Sequence, residues 1–106
     1  MLVCTTENVA GRRVTETIGQ VFGVVVRSRG LGGNVMAGLR SLGGGEIVEY
    51  TSLVEDTRRQ AIDRLVMNAQ LMGADAVVMM RFDSGSIGDT MNEVVAYGTA
   101  VKLAPA

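Results

Sequence analysis

The run VFGVVV, residues 21–26, leaves this chain few ways to fold. It is rich in β-branched residues, which favour strands, and successive side chains of a strand point to opposite faces. Both faces of the predicted strand are therefore apolar and both need to be covered. The alternation does not tell which face meets the rest of the chain. The two sets are Phe22 with Val24 and Val26, and Val21 with Val25.

The length of the chain limits how much apolar surface it can bury. With 106 residues we expect a single domain, residues 1–106, that hides about two-thirds of the surface its unfolded chain exposes. Yet 47% of the residues are hydrophobic, only 20% are charged and the mean hydropathy is +0.27. This is more apolar material than one small core holds, so we expect the surplus to form an oligomer interface.

The order of the predicted elements is strand, strand, helix, helix, strand, strand. Turn-prone glycines separate the elements, and Gly73 is the expected glycine at the end of the long helix. This order predicts a two-layer α+β domain with an antiparallel sheet of about four strands and both helices on one face. The elements are a strand at residues 2–6, a strand at 13–27 that Gly19 and Gly23 bend or bulge, a short helix at 34–42, a long helix at 46–72, and strands at 75–83 and 93–103 joined by the hairpin loop SGSIGDTMN. The apolar stripe predicted for the long helix consists of Ile47, Tyr50, Val54, Ala61, Leu65 and Met72, widened by Ile62, Val66 and Ala69.

Three stretches of the sequence carry a family resemblance. They are GGNVMAGLRSLGGG before a Tyr-bearing helix, LMGADAVVMMRFD where the long helix gives way to a strand, and YGTAVKL in the last strand. Across essentially the whole chain they resemble the YbjQ family, which is similar in subunit fold to dodecin. The resemblance implies a central last strand, both helices on one sheet face and a homopentamer. The family has no established activity and has been labelled heavy-metal-binding.

The residues offer little to a heavy metal. Soft metals favour several converging thiolate, thioether or imidazole ligands, and this chain has no histidine and one cysteine, Cys4. Met79 and Met80 are adjacent in a predicted strand and should point to opposite faces, so we interpret them as filling a strand that is covered on both sides. Cys4, Asp83 and Asp89 are weak candidates for metal ligands. Asp83, Asp89 and Glu93 could gather as an oxygen-rich cation site, but their spacing matches no calcium loop. We predict no metal site and no cofactor.

Other partners and reactions find equally little support. Ten basic against eleven acidic residues exclude bulk attraction to nucleic acid, and no apolar run is long enough to span a bilayer. The start of the chain does not resemble a signal peptide, and a lone cysteine fits a reducing compartment, so we expect a cytoplasmic protein. No histidine is present to activate Cys4 or a serine, and the loop RGLGGN lacks the Lys and Ser or Thr of a phosphate-binding loop. We therefore expect no enzyme activity.

Charge is nevertheless uneven along the sequence. Residues 1–45 carry five arginines against two glutamates, a net charge of +3, and residues 46–106 carry five basic against nine acidic groups, a net charge of −4. The two halves could attract one another.

These observations favour a non-catalytic homo-oligomeric assembly or binding module of unknown cellular role, pentameric by the resemblance. The alternative is a carrier of a small ligand or heavy metal whose sites form between subunits. The interface candidates are Val21, Phe22, Val24, Val25 and Tyr50.

Overall fold

The structure, a computed structural model, describes residues 1–28 and 48–106. These residues form one four-stranded sheet and a helix packed on it, an α+β arrangement. The short helix predicted at residues 34–42 lies outside the described residues, so the two-helix count stays a prediction. The elements are β1 (Leu2–Val3), β2 (Arg12–Ser28), α1 (Val48–Leu71), β3 (Ala76–Ile87) and β4 (Met91–Pro105).

The strands are arranged in the order β1-β3-β4-β2, so the last strand of the chain lies at the centre of the sheet, as the resemblance implied. β4 pairs antiparallel with both β2 and β3. The prediction of an all-antiparallel sheet was wrong for β1, which pairs parallel with β3 through Leu2 and Val3. The sheet is therefore mixed. A two-residue strand carries no signal of its direction, because direction is set by a partner more than 70 residues away in sequence.

The hairpin between β3 and β4 is longer than predicted. The predicted loop SGSIGDTMN is mostly strand, since Ser84 pairs with Val94 and Ile87 with Met91, and only residues 88–90 turn. Gly88 makes the turn with a φ of 59°. Ser, Gly, Asp and Asn are typical of turns. The long β4 supplies a pairing partner for most of the stretch, however, and pairing overrides that preference.

Helix α1 covers one face of the sheet. From the middle of the helix onward, the residues that face the sheet are those of the predicted apolar stripe. Ala61, Leu65 and Ala69 are buried, and they pack with Val21, Val25, Val77 and Ala96 of the strands. The predicted stripe was wrong at Val54, which is exposed. Thr57, one turn before Ala61, is buried instead, and its hydroxyl donates a hydrogen bond of 2.7 Å to the carbonyl of Leu53, which satisfies this polar group. Within residues 1–28 and 48–106 no helix is long and apolar enough to cross a bilayer.

Gly23 brings the backbone of β2 against the backbone of α1. A Cβ built on Gly23 would collide with the carbonyl oxygen of Ala61 and the amide nitrogen of Leu65, and it would lie 3.0 Å from the Cα of Leu65. Gly23 is therefore a site of close approach between strand and helix, whereas Gly19 lies at a register shift with a φ of 145°. The prediction of a bulge was right for Gly19. Gly23 makes room for the helix instead of forming a bulge.

The end of α1 is built as the sequence predicted. Gly73 has a φ of 81°, its N–H donates to the carbonyl of Gln70, and the N–H of Ala74 donates to the carbonyl of Ala69. These two hydrogen bonds make a Schellman motif with Gly73 in the left-handed position that favours glycine.

We expect Gly73→Val to lower the stability of the protein by on the order of 1 to 2 kcal/mol. A Cβ at this position would meet nothing within 4 Å, so the cost comes from the left-handed backbone alone. Gly73→Asn should cost less, because asparagine tolerates this conformation. Thermal unfolding measures both, and an unchanged midpoint for the valine variant would contradict the assignment.

A second substitution tests the contact between helix and strand. Gly23→Ala should cost on the order of 2 to 4 kcal/mol, because its methyl group must push backbone away from backbone. Gly85→Ala is the matched control, since its Cβ would meet nothing within 4 Å. Denaturant unfolding should show a clear loss for the first variant and none for the second. Equal midpoints would show that the helix does not sit this close to β2.

Candidate functional site

The face of the sheet that points away from α1 is the most conspicuous surface of the chain. Because Val21 and Val25 lie under the helix, their neighbours on β2 point to the opposite side. Cross-strand pairing places β4 residues beside them, Tyr97 opposite Phe22 and Val95 opposite Val24. Phe22, Val24, Val26 and Tyr97 are 48%, 40%, 49% and 40% exposed. We call this surface the open face, and its apolar residues are Phe22, Val24, Val26, Val95 and Tyr97.

The structure separates the predicted interface residues into two groups. Phe22 and Val24 lie on the open face, where a partner can reach them. Val21 and Val25 are 2% and 3% exposed in the chain's own core, so naming them as interface residues was wrong. The alternation identified the two sets, but only the position of the helix decides between them. Tyr50 lies in the first turn of α1, and its side chain is outside the described residues.

Two helix side chains that the sequence did not point to donate hydrogen bonds to backbone carbonyls at the outer edge of β2. Asn68 donates a hydrogen bond of 2.7 Å from Nδ2 to the carbonyl of Phe22, and Arg64 donates from a guanidinium nitrogen to the carbonyl of Val24. The sequence signal for this role is that Arg64 and Asn68 lie four residues apart on the helix, each directly before a buried residue. At residues 22–24, β2 is an edge strand whose carbonyls already have partners. The accessible surface there is therefore the open face.

The predicted acidic candidates are only partly brought together. Asp83 and Glu93 line a depression of about 80 Å³ beside Val95, at the hairpin end of the open face. A carboxylate oxygen of Asp83 accepts a 3.0 Å hydrogen bond from the N–H of Ser84. Asp89 lies in the turn and does not line the depression. In the part of the chain that the structure describes, no three His, Cys, Asp or Glu residues could share a metal ion. The depression is also far smaller than the roughly 300 to 1,000 Å³ of a ligand pocket.

Cys4 lies elsewhere, in the segment that follows β1. It packs at the edge of a second apolar cluster made by Ala76, Val78 and Val101. Its sulfur lies 3.5 Å from the carbonyl oxygen of Thr6. Since Val77 packs under the helix, Ala76 and Val78 point to the other side of the sheet, so residues near Cys4 cover one end of the open face.

The two adjacent methionines lie at a bulge in β3. Pairing passes from Val78 opposite Thr99 to Arg81 opposite Tyr97, so Met79 and Met80 share one position of β4. Met80 is buried in the core under the helix, whereas Met79 is 42% exposed with a φ of 54°. Backbone hydrogen bonds from Met79 to Thr6 and from Met80 to Cys4 fix the bulge. Filling was therefore the right interpretation of Met80, and Met79 is not covered within the single chain.

Comparison with known proteins agrees on one family. The family model YbjQ_1, described as "Putative heavy-metal-binding", matches residues 1–104. A UPF0145 protein of Bradyrhizobium sp. (strain ORS 278) is 64% identical over 106 residues, which cover 100% of this chain and 96% of the relative. A UPF0145 protein of Thermoplasma volcanium is 54% identical over 101 residues, with 95% and 83% coverage.

A solved structure shares the fold. It is a protein of unknown function from Pediococcus pentosaceus that belongs to the DUF74 family, with a TM-score of 0.70. The alignment covers 98% of both chains at 13% sequence identity, so it supports the fold alone. Similarity of the subunit to dodecin stays a prediction.

The possible metal ligands among the described residues lead to a prediction of the protein's metal content. We expect the purified protein to contain well below one equivalent of zinc, copper or iron per chain, because the sequence has no histidine and one cysteine, and residues 1–28 and 48–106 hold no cluster of three His, Cys, Asp or Glu. Elemental analysis after removal of loosely bound ions measures this. A stoichiometric metal that is lost in Cys4→Ser, but kept in the control Thr5→Ser, would contradict the prediction.

Proposed function

Since the chain belongs to the YbjQ family, which has no established activity, we propose that it is a non-catalytic module that assembles into a homo-oligomer, a pentamer by the family resemblance. The observation that carries this proposal is the open face. Its four exposed residues Phe22, Val24, Val26 and Tyr97 adjoin one another across β2 and β4. Contiguous apolar surface of this kind marks interaction sites in soluble proteins.

The distribution of side chains across the sheet supports an interface between copies of the chain. A sheet packs stably when both apolar faces are covered, and α1 covers one of them. The open face has aromatic residues at its centre and charged residues, Arg81, Asp83 and Glu93, toward β3 and the hairpin. An apolar centre with a polar rim is the usual anatomy of a protein interface. The longest dimension of the structure is 54 Å, which offers a long surface to a neighbour.

The family's description favours a second candidate, a heavy-metal carrier whose sites form between subunits. Asp83 and Glu93 would each supply oxygen ligands from one chain, and a neighbouring chain would complete the set. Metal content of the assembled protein distinguishes this candidate from the first, because a site between subunits would bind metal at a fixed ratio to the assembly.

The two adjacent residues Val24 and Val25 provide a matched test of the assembly. Val25→Asp buries a carboxylate under the helix and should unfold the chain, at a cost on the order of 4 kcal/mol or more. Val24→Asp places the same carboxylate on the open face, so we expect smaller species that keep most of their helix content. Size exclusion with light scattering gives the mass, and circular dichroism gives the helix content.

Two outcomes would count against the proposal. A wild-type protein that elutes as a monomer at micromolar concentration would refute assembly. Val24→Asp that keeps the wild-type mass would remove the open face from the interface, because a charge cannot be buried there without a partner.

A further inference from the structure

We propose that the end of the sheet opposite the β3–β4 hairpin, which we call the arm, docks on the open face of a second copy of the chain. The arm consists of residues 12–17 of β2 and residues 102–105 of β4. This inference rests on the proposed assembly and adds to it the part of the neighbour that meets the open face.

The arm is a two-stranded extension of the sheet. β3 reaches along β4 only as far as the pair Ala76 and Val101, and beyond that point β4 pairs with β2 alone, from Glu16 opposite Lys102 to Arg12 opposite Pro105. All six residues from Arg12 to Thr17 are exposed. A two-stranded ribbon is marginally stable unless something packs on it, so the arm gains from a partner.

The arm and the hairpin end of the open face have opposite charge. Lys102 lies directly opposite Glu16, and these two charges offset each other. Arg12 and Arg13 are adjacent in β2, so their side chains point to opposite sides of the sheet, and Arg12 shares the side of Val14 and the open face. Arg12 forms no ion pair within residues 1–28 and 48–106. The hairpin end carries Asp83 and Glu93 around its depression. Complementary charges of this kind select a partner and fix the register of contact.

The same two surfaces both have apolar residues beside their charges. The depression of about 80 Å³ is lined by Val95 together with the two carboxylates, and it adjoins Val24 across the β2–β4 ladder. The arm presents Arg12 on the same face as Val14, which is 40% exposed. An arginine side chain can rest its methylene stem on valine while its guanidinium binds a carboxylate, which is the combination both surfaces offer.

The contact cannot form within one chain. Arg12 and Val26 lie on the same strand about 45 Å apart at the usual rise per residue, and the sheet between them is continuous. The arm of one copy must therefore meet the open face of another in a head-to-tail contact. Such a contact uses two different patches, and it closes into a ring or continues as a filament. A ring with an odd number of subunits requires a contact of this type.

Charge reversal with rescue tests the arm. We expect Arg12→Glu and, separately, Asp83→Lys/Glu93→Lys to raise the concentration at half-assembly by about tenfold or more, because each pairs like charges. The variant with all three substitutions restores opposite charges with their places exchanged, and it should regain the wild-type mass. Glu55→Lys/Arg59→Glu is the matched control, since it exchanges an exposed ion pair on α1.

Light scattering across a dilution series and circular dichroism of each variant provide the readouts. If Arg12→Glu or Asp83→Lys/Glu93→Lys assembles like wild type, or if the combined variant stays dissociated while folded, the arm contact is overturned and the proposed assembly still stands. A monomeric wild type would refute both. Loss of assembly in the two charge-reversal variants, recovery in the combined variant and no effect of the control would support the contact.

Discussion

The close approach of α1 to Gly23 decides which side of this sheet is inside. With only a hydrogen atom at Gly23, the helix backbone at Ala61 and Leu65 can lie directly against β2. Val21 and Val25 then fall under the helix on either side of the contact, and the intervening residues of β2 point away from it. The same position lets Arg64 and Asn68 reach the edge carbonyls of Val24 and Phe22. The core, the satisfied strand edge and the exposed apolar face therefore all follow from one glycine.

Features set by local sequence could be predicted, and features set by distant contacts could not. The Schellman motif at Gly73 and the stripe from Ala61 to Met72 depend on residues within one or two helical turns, and both were confirmed. The direction of β1 and the extent of the β3–β4 hairpin depend on pairing across the sheet, and both predictions were wrong. The interface residues are an intermediate case. Alternation gave two sets of valines, and the long-range contact at Gly23 was needed to choose between them.

The pair Met79 and Met80 shows how a bulge changes what alternation implies. In a regular strand Met79 would point toward the helix and Met80 away from it, given that Val77 lies under the helix. The extra residue shifts the phase, so that Met80 is buried in the core and Met79 takes a φ of 54°. Gly98 opposite the bulge has no room for a side chain, because its Cβ would lie 2.7 Å from Val77 Cγ1 and 2.9 Å from the carbonyl oxygen of Val78. Glycine in the YGTAV stretch thus has a packing role, and the bulge aligns Phe82 with the core.

The depression between Asp83 and Glu93 links the questions of assembly and metal binding. Two carboxylates in one small hollow need positive charge nearby when a neighbour excludes water from them. Under the arm contact proposed above, Arg12 of a second copy would provide it, and so would a cation held between subunits. Arg12 carries its charge on a folded arm of the same chain, so every copy brings one to the contact. A metal would in addition need ligands that no cluster in residues 1–28 and 48–106 provides. Under the proposed contact, Arg12 of the arm is therefore the positive charge that the chain itself supplies.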